Sequence, residues 1–159
     1  AYEIHVGMEN LASVYALLKA EGADFGLVDI GLRAYDALRL EKANAQWGSE
    51  LTFEVAANAN GGVKGGNGAR PPAATWMKLK LAGGESASGA VLYHGGRPVA
   101  LVRSSSPGYS VGTGIAFAHV PLELSHEGAE LECLIKGERR KATVIAGALY
   151  DPQDDRTRA

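Results

Sequence analysis

The second half of the chain alternates polar and apolar positions with the period of two that β-strands require. Trp76 to Leu81 shows this alternation most clearly, and Val111 to His119 is a further extended stretch that Pro121 closes. Two pairs of alternating segments flank glycine-containing turns: 90–93 with 98–103 around His94-Gly95-Gly96-Arg97, and 131–135 with 140–144 around Lys136-Gly137. About five or six short strands with such turns predict a small antiparallel β-barrel or sandwich.

The first 55 residues mix extended and helical patterns. Tyr2 to Val6 is short, β-branched and aromatic, which predicts a strand. A first helix is predicted from an N-cap at Asn10 to a left-handed C-cap at Gly22, and a second helix is predicted within 31–42. The apolar residues on one face of the first helix are Leu11, Val14, Tyr15 and Leu18. A short apolar run at 25–30 separates the two helices, so this part is expected to be mixed α and β.

Residues 56–74 differ in composition from both neighbouring regions, with five glycines, three asparagines and two prolines. Such a segment cannot offset the entropy of ordering it, and a loop of this length inside one compact domain is uncommon. It therefore predicts a flexible linker between a mixed region, 1–55, and a β-barrel, 75–159. The motif GGVKGGNG within it lacks the Gly-Lys-Ser/Thr of a phosphate-binding loop. The fold class predicted for the whole chain is α+β.

Composition and charge exclude several classes of function. The formal net charge is −2 and the basic residues are scattered, which gives no electrostatic case for nucleic acid. No apolar run is long enough to cross a bilayer. The single cysteine, Cys133, lies in a strand-like segment and is interpreted as a buried apolar residue, with a reactive thiol as the alternative. A reducing, cytoplasmic setting is expected. The first residue is Ala, and we expect the chain to begin partway through a longer protein.

The residues that most often carry catalysis or bind metal show no supporting spacing. The four histidines, His5, His94, His119 and His126, do not stand at ligand spacings, so no metal site is predicted. Ser104-Ser105-Ser106 lacks the frame of a nucleophilic serine and precedes Pro107-Gly108, so a polar turn is expected there.

Glu3 is an acidic residue within a short apolar strand pattern, and two interpretations of it remain open. Its side chain can simply face water on an edge strand. Alternatively, its carboxylate can accept two parallel N–H hydrogen bonds from a ring amidine.

Three blocks of the sequence, in order, resemble the glycine-cleavage T-proteins and the wider aminomethyltransferase superfamily. Tyr2-Glu3-Ile4-His5-Val6 resembles the strand with the pattern Gly-Tyr/Phe-Glu-Ile. GLRAYDALRLEKANAQWGSEL resembles the Gly-Leu-x-Ala-x-Asp-x-Leu-Arg-Leu-Glu block. The segments SSPGYSVGTGIAFAHVP, GAELECLIKGERRKATV and ALYDPQDDRTRA resemble the C-terminal barrel with its closing Leu-Tyr-Asp-Pro tail. Leu40-Glu41-Lys42 and Trp47-Gly48 resemble the folate domains of dimethylglycine and sarcosine dehydrogenases, which usually follow a flavin-containing module.

This resemblance implies a tetrahydrofolate site, to which Tyr2, Glu3, Arg33 and Tyr35 would contribute. Glu3 matches the carboxylate that grips the 2-amino and N3 groups of the pterin. Tyr35 stands where T-proteins have an arginine, and Arg33 is a candidate to replace it. The superfamily's catalytic aspartate lies upstream of the region that matches this chain, so no catalytic residue is assigned. The segment that usually follows Trp-Gly in the superfamily is replaced by the glycine-rich linker.

The expected function is tetrahydrofolate-dependent transfer of a one-carbon group, aminomethyl or methyl, within a larger protein or complex. The missing part would be an N-terminal catalytic or flavin-containing domain or chain. One alternative is a non-catalytic folate-binding or scaffold module that has kept the fold and lost the chemistry. Another is a poorly folded remnant of a longer gene.

Overall fold

The computed structural model describes residues 3–51 and 74–158. The chain divides into two compact units, Ala1–Leu32 and Arg33–Ala159. Residues 56–73 of the predicted linker lie outside the described residues, and Ala74 is the first residue of a strand. The predicted division into 1–55 and 75–159 stays a prediction.

The first unit contains the predicted first helix, α1, at Leu11–Gly22. Short 3-10 helices precede and follow it, at Met8–Asn10 and Ala23–Phe25. The predicted left-handed cap at Gly22 is wrong, since Gly22 has the helical φ of −81° and the chain continues into the 3-10 turn. The left-handed residue that ends the turn is Gly26, with φ +70°.

The predicted strand at 2–6 is not found among the described residues. Tyr2 lies outside the described residues, and residues 3–7 carry no regular secondary structure. A strand requires a neighbour that accepts and donates its ladder hydrogen bonds, and no residue in the described ranges pairs with this segment. The apolar residues 27–30 likewise have no ladder partner among the described residues.

The second unit contains six strands, which are β1 (Ala74–Leu81), β2 (Val91–His94), β3 (Arg97–Gly108), β4 (Thr113–Pro121), β5 (Glu130–Ile135) and β6 (Glu138–Ile145). They form a closed antiparallel barrel with the strand order β1-β4-β3-β2-β5-β6, which confirms the predicted barrel. The two predicted hairpins are β2–β3 and β5–β6. Their turns need two residues with positive φ, and Gly95-Gly96 and Lys136-Gly137 supply them.

Alternate residues of each strand point into the barrel, and their side chains fill its interior. Cys133 is fully buried there and free, which confirms its interpretation as an apolar core residue. The large fully buried residues of this core are Leu79, Leu81, Leu92, Val102, Val120 and Val144, with Ala116, Ala118 and Ala142 filling the narrow positions between them.

The second predicted helix, α2 (Leu32–Glu41), packs on the outside of the barrel. Its Leu40 contacts Ile115 and Phe117, which point outward from β4 because alternate residues of a strand face opposite sides. The ring of Trp76 meets Phe117 edge to face at 5.1 Å between centroids. The chain closes with a short helix, α3 (Asp155–Arg158). Within 3–51 and 74–158, no helix has both the length and the apolar character that crossing a membrane would demand.

Candidate functional site

Arg39 of α2 lies at the centre of a buried polar network between the helix and the barrel. Its Nε donates to Asp36 Oδ1 at 2.8 Å, its Nη1 to Glu50 Oε2 at 3.0 Å, and its Nη2 to Ser104 Oγ at 3.2 Å. Arg39 is 7% exposed and Glu50 is fully buried. The three nitrogens of one guanidinium therefore join the helix, the segment after it and the barrel wall.

Glu50 is held as a carboxylate in spite of its burial. Burial by itself raises the pKa of this carboxyl, but hydrogen bonds from Ser104 and the Gln46 N–H, with the charge of Arg39, outweigh it and lower the pKa. The Gln46 N–H donates to Oε2 at 2.8 Å, and the Ser49 hydroxyl donates to Oε1 at 3.1 Å. Because the buried Glu50 carboxylate has several donors and a cationic partner, we interpret the Arg39–Glu50 ion pair as structural. It positions α2 on the barrel.

The predicted polar turn at Ser104–Ser106 is wrong, because these serines lie inside β3. The ladder to β4 shifts register between Val102 and Ser104, which re-aims the side chains that follow. Ser104 thereby reaches the Arg39 network, and Ser105 Oγ accepts a hydrogen bond from the Ala87 N–H at 3.0 Å. Buried partners, rather than turn geometry, account for this run of small polar residues.

The consecutive residues Leu40, Glu41 and Lys42 anchor α2 in three ways. Leu40 packs on the barrel, and Glu41 Oε1 accepts from the Ser110 N–H at 2.8 Å. Lys42 Nζ donates to Asp151 Oδ2 at 2.7 Å, and hydrogen bonding to Asp151 raises the pKa of Lys42. The Leu-Glu-Lys motif and the Leu-Tyr-Asp-Pro tail, far apart in sequence, thus form one structural contact.

A groove of about 420 Å³ opens within the second unit beside the first turn of α2. Its lining residues are Arg33, Asp36, Ser86, Ser105, Ser106, Pro107 and Tyr109. Among them Arg33 carries the one positive charge, whereas the Asp36 carboxylate is engaged by Arg39. The hydroxyls of Ser86 and Ser106 donate to backbone carbonyls, so their lone pairs are left for a ligand. The groove can hold a polar ligand with an acidic group facing Arg33.

The other predicted site residues lie outside this groove. Glu3 is in the first unit, where its side chain is 88% exposed and its Oε2 lies 3.5 Å from His5 Nε2. Tyr35 lies on α2 and is about half exposed, and it does not line the groove. Tyr2 is outside the described residues. The structure thus brings Arg33 together with serines that the sequence interpretation had assigned to a turn.

His119 and Trp76 are paired across β4 and β1. His119 Nε2 and Trp76 Nε1 are both buried, and neither has a hydrogen-bond partner among the residues that the structure describes. Burial, with the charge of Arg103, lowers the pKa of His119, which favours the neutral ring. Within the described parts of the chain, no group of His, Cys, Asp or Glu is arranged to hold a metal ion.

Two family models match the chain in sequence order. The GCVT N-terminal domain matches residues 1–61, and the glycine cleavage T-protein C-terminal barrel domain matches residues 76–151. The second range coincides with the six-stranded barrel and the start of its tail.

Known proteins agree with this assignment. Rat mitochondrial dimethylglycine dehydrogenase is 29% identical over 99% of this chain, and an aminomethyltransferase of Nostoc sp. is 28% identical over 91% of it. The chain spans 20% of the first of these relatives and 41% of the second. The crystal structure of the Bartonella henselae glycine cleavage system aminomethyltransferase T superposes with a TM-score of 0.73 at 20% identity, covering 89% of this chain and 45% of that one. The chain belongs to the aminomethyltransferase superfamily.

Proposed function

We propose that this chain binds tetrahydrofolate and takes part in one-carbon transfer as a portion of a larger aminomethyltransferase-like protein. The observation that carries the proposal is the match to both family domains in their proper order, over residues 1–61 and 76–151. The chain spans less than half of the length of either relative. The proposal therefore includes a further portion of protein that acts together with this chain. That portion is an N-terminal catalytic or flavin-containing domain or chain.

Glu3 is the proposed pterin contact. A carboxylate accepts two parallel N–H hydrogen bonds from the 2-amino and N3 groups of a pterin, as it does from a guanidinium. Its side chain is exposed in this chain and can reach a ligand. Exposure also means that water competes for the same oxygens, so the contact becomes strong only in an enclosed cavity. Tyr2 is the neighbouring proposed contact.

Arg33 is the proposed contact for the carboxylates of the folate glutamate tail. It supplies the cation of the groove beside α2, and a planar guanidinium suits a carboxylate. Tyr35, which replaces the arginine of T-proteins, offers a ring and a hydroxyl but no charge, and we assign it a secondary contact. The buried Arg39–Glu50 pair holds α2, and therefore both of these residues, in place on the barrel.

The chemistry proposed for the complete protein needs a tetrahydrofolate nitrogen to lie against an electrophilic one-carbon group. Residues of this chain would orient the folate and exclude water from it, which are large contributions to such a transfer. The chain by itself is expected to be inactive. A reducing, cytoplasmic compartment is part of the proposal, since Cys133 is a free buried thiol.

A second candidate is a scaffold module of the same superfamily that has lost the chemistry. The observation that favours it is Tyr35 in place of an arginine that T-proteins use. In such a module the anchoring of α2 to the barrel would serve structure alone.

Calorimetric titration with 5-formyltetrahydrofolate tests the folate proposal. We expect the isolated chain to bind more weakly than micromolar, and Glu3→Gln to weaken that binding further. Glu9→Gln is the matched control, because Glu9 is an exposed carboxylate in the same unit with no proposed role. Micromolar binding that survives Glu3→Gln would reject the role of Glu3. Heats indistinguishable from buffer at millimolar ligand would favour the scaffold module.

A further inference from the structure

The first unit exposes almost all of its apolar residues. None of residues 3–32 is buried, and only Val14, Lys19 and Gly22 are even partly covered. The exposed large hydrophobic residues between 3 and 31 are Ile4, Val6, Met8, Leu11, Tyr15, Leu17, Leu18, Phe25, Leu27, Val28 and Ile30. So many exposed large apolar side chains in one small unit are typical of a region that another protein surface covers.

The composition of α1 indicates burial on more than one side. Leu11, Tyr15 and Leu18 follow one face, while Leu17 lies on another and is 59% exposed. Alanines occupy several of the remaining positions, and Lys19 and Glu21 are its charged residues. A helix that is apolar on most sides belongs inside a core, because a surface helix carries a polar face.

The chain that returns after α1 is held against the helix by polar contacts. Asp29 Oδ2 accepts from the Tyr15 hydroxyl at 2.9 Å and from Lys19 Nζ at 3.2 Å. Both hydrogen bonds lower the pKa of Asp29, with that from Tyr15 the larger cause. These contacts fix the course of the chain after α1. The apolar side chains of Leu27, Val28 and Ile30 nevertheless stay exposed instead of packing into a core.

Two segments of this unit have the composition of strands but no sheet partner among the described residues. Their backbone hydrogen bonds are local, from the Leu27 N–H to the Gly22 carbonyl at 3.0 Å and from the Asn10 N–H to the Gly7 carbonyl at 2.9 Å. Residues 3–7 and 27–31 carry no regular structure, although Ile4, Val6, Val28 and Ile30 are residues that favour sheets. Strand segments with unpaired N–H and C=O groups add readily to the edge of another sheet.

We propose that α1 and the segments 3–7 and 27–31 form a docking surface for the N-terminal part of a GCVT-type domain, whose sheet pairs with the two segments and whose core covers α1. This inference rests on the proposed larger protein and is independent of folate binding. The family model that matches this unit is that of the GCVT N-terminal domain, and the Nostoc relative has more than half of its length outside the match to this chain. That portion supplies an occupant of the right kind.

A fusion protein tests the docking surface directly. The portion of the Nostoc aminomethyltransferase that precedes its match to this chain is joined to Ala1, so that high effective concentration compensates for sequence divergence. Amide hydrogen exchange is followed over residues 3–32 and over the barrel, in the chain alone and in the fusion. Leu17→Asp is made in both proteins, with Leu122→Asp as the control, since Leu122 is an exposed leucine of the barrel unit.

We expect amides in 3–7 and 27–31 to exchange at least tenfold more slowly in the fusion, and Leu17→Asp to abolish that protection while Leu122→Asp preserves it. Unprotected segments in the fusion would overturn the proposal. Slow exchange in the chain alone, accompanied by a dimer in sedimentation equilibrium, would identify a second copy as the occupant and would overturn it as well. Folate affinity of the fusion is measured separately, so protection without folate binding would reject the proposed function and leave the docking surface standing.

Discussion

Arg39 Nη1 lies 3.0 Å from Glu50 Oε2, and the ion pair between these two residues is buried. The side chains are 6% and 0% exposed. Neither charge can be satisfied by water, so each depends on the other and on the hydroxyls around them.

Removing one partner of this pair is predicted to destabilise the barrel unit strongly. Arg39→Met should lower the free energy of unfolding by roughly 3–5 kcal/mol, because it leaves the Glu50 carboxylate buried without a cation. Asp36→Asn, which removes a partner of the same guanidinium that is 46% exposed, should cost less than about 1 kcal/mol. Urea unfolding followed by circular dichroism measures both. Equal losses in the two variants would contradict the assigned importance of Glu50.

The same pair predicts a pH dependence with a definite sign. The pKa of Glu50 is lowered in the folded state, so the unfolded chain binds its proton first as the pH falls. The stability that Glu50 contributes is therefore fully present above its ordinary pKa of 4.5 and is lost as the pH drops through the lower folded value. We expect the difference in urea midpoint between the native sequence and Glu50→Gln to be constant from pH 7 to 6 and to shrink below pH 4. A difference that grows on acidification would reverse the sign of the shift.

The contact between Lys42 and Asp151 is predicted to tie the tail to α2. Lys42→Met should lower the melting temperature and speed amide exchange at Tyr150, whose N–H donates to the Glu41 carbonyl at 3.1 Å. A double-mutant cycle with Asp151→Asn should show coupling, because each variant removes one charge of the same ion pair. Lys80→Met, which alters a lysine elsewhere on the barrel, is the control. Additive effects of Lys42→Met and Asp151→Asn would show that the two residues act separately.

Cys133 is predicted to be unreactive in the folded protein. Burial raises the pKa of its thiol, and the thiolate is the form that reacts. Ellman's reagent should therefore modify Cys133 slowly at pH 8 in the native state and rapidly in denaturing urea. Rapid reaction without denaturant would place the thiol at the surface and remove it from the barrel core.

Leu92 of β2 and Leu101 of β3 lie on opposite faces of the barrel wall and provide a test of the core. Leu92 is fully buried, whereas Leu101 is 57% exposed. Leu92→Ala should cost roughly 2–5 kcal/mol from lost burial and the cavity left behind, and Leu101→Ala less than about 1 kcal/mol. Thermal unfolding by calorimetry separates the two, and similar costs would mean that the barrel interior is assigned to the wrong face.

The elements that sequence predicted correctly are those whose information is local. The β2–β3 and β5–β6 hairpins follow from the alternation of polar and apolar residues and from turn residues that tolerate positive φ. Both properties depend only on a few neighbouring positions. Helix α1 likewise follows from its apolar spacing. Its left-handed residue was misplaced by four positions, from Gly22 to Gly26, because either glycine can adopt a positive φ and the intervening 3-10 turn decides between them.

Contacts between distant segments were not predictable in this way. The sequence around Ser104 is typical of a turn. Its place in a strand is explained only by the register shift in β3 and by the hydrogen bond from the Arg39 guanidinium. The candidate groove shows the same limit, since Arg33 could be proposed from the resemblance but the serines that line the groove with it could not.

The family resemblance, the barrel and its hairpins could be predicted from the sequence, because periodicity, turn chemistry and short motifs each belong to one stretch of the chain. The buried Arg39–Glu50 pair, the contact of Lys42 with Asp151, and the absence of a strand at 3–7 among the described residues became visible only in the folded chain. The physical reason is the same in each case. A buried charge and a strand both depend on a partner far away in the sequence, and only the folded chain shows whether that partner is present.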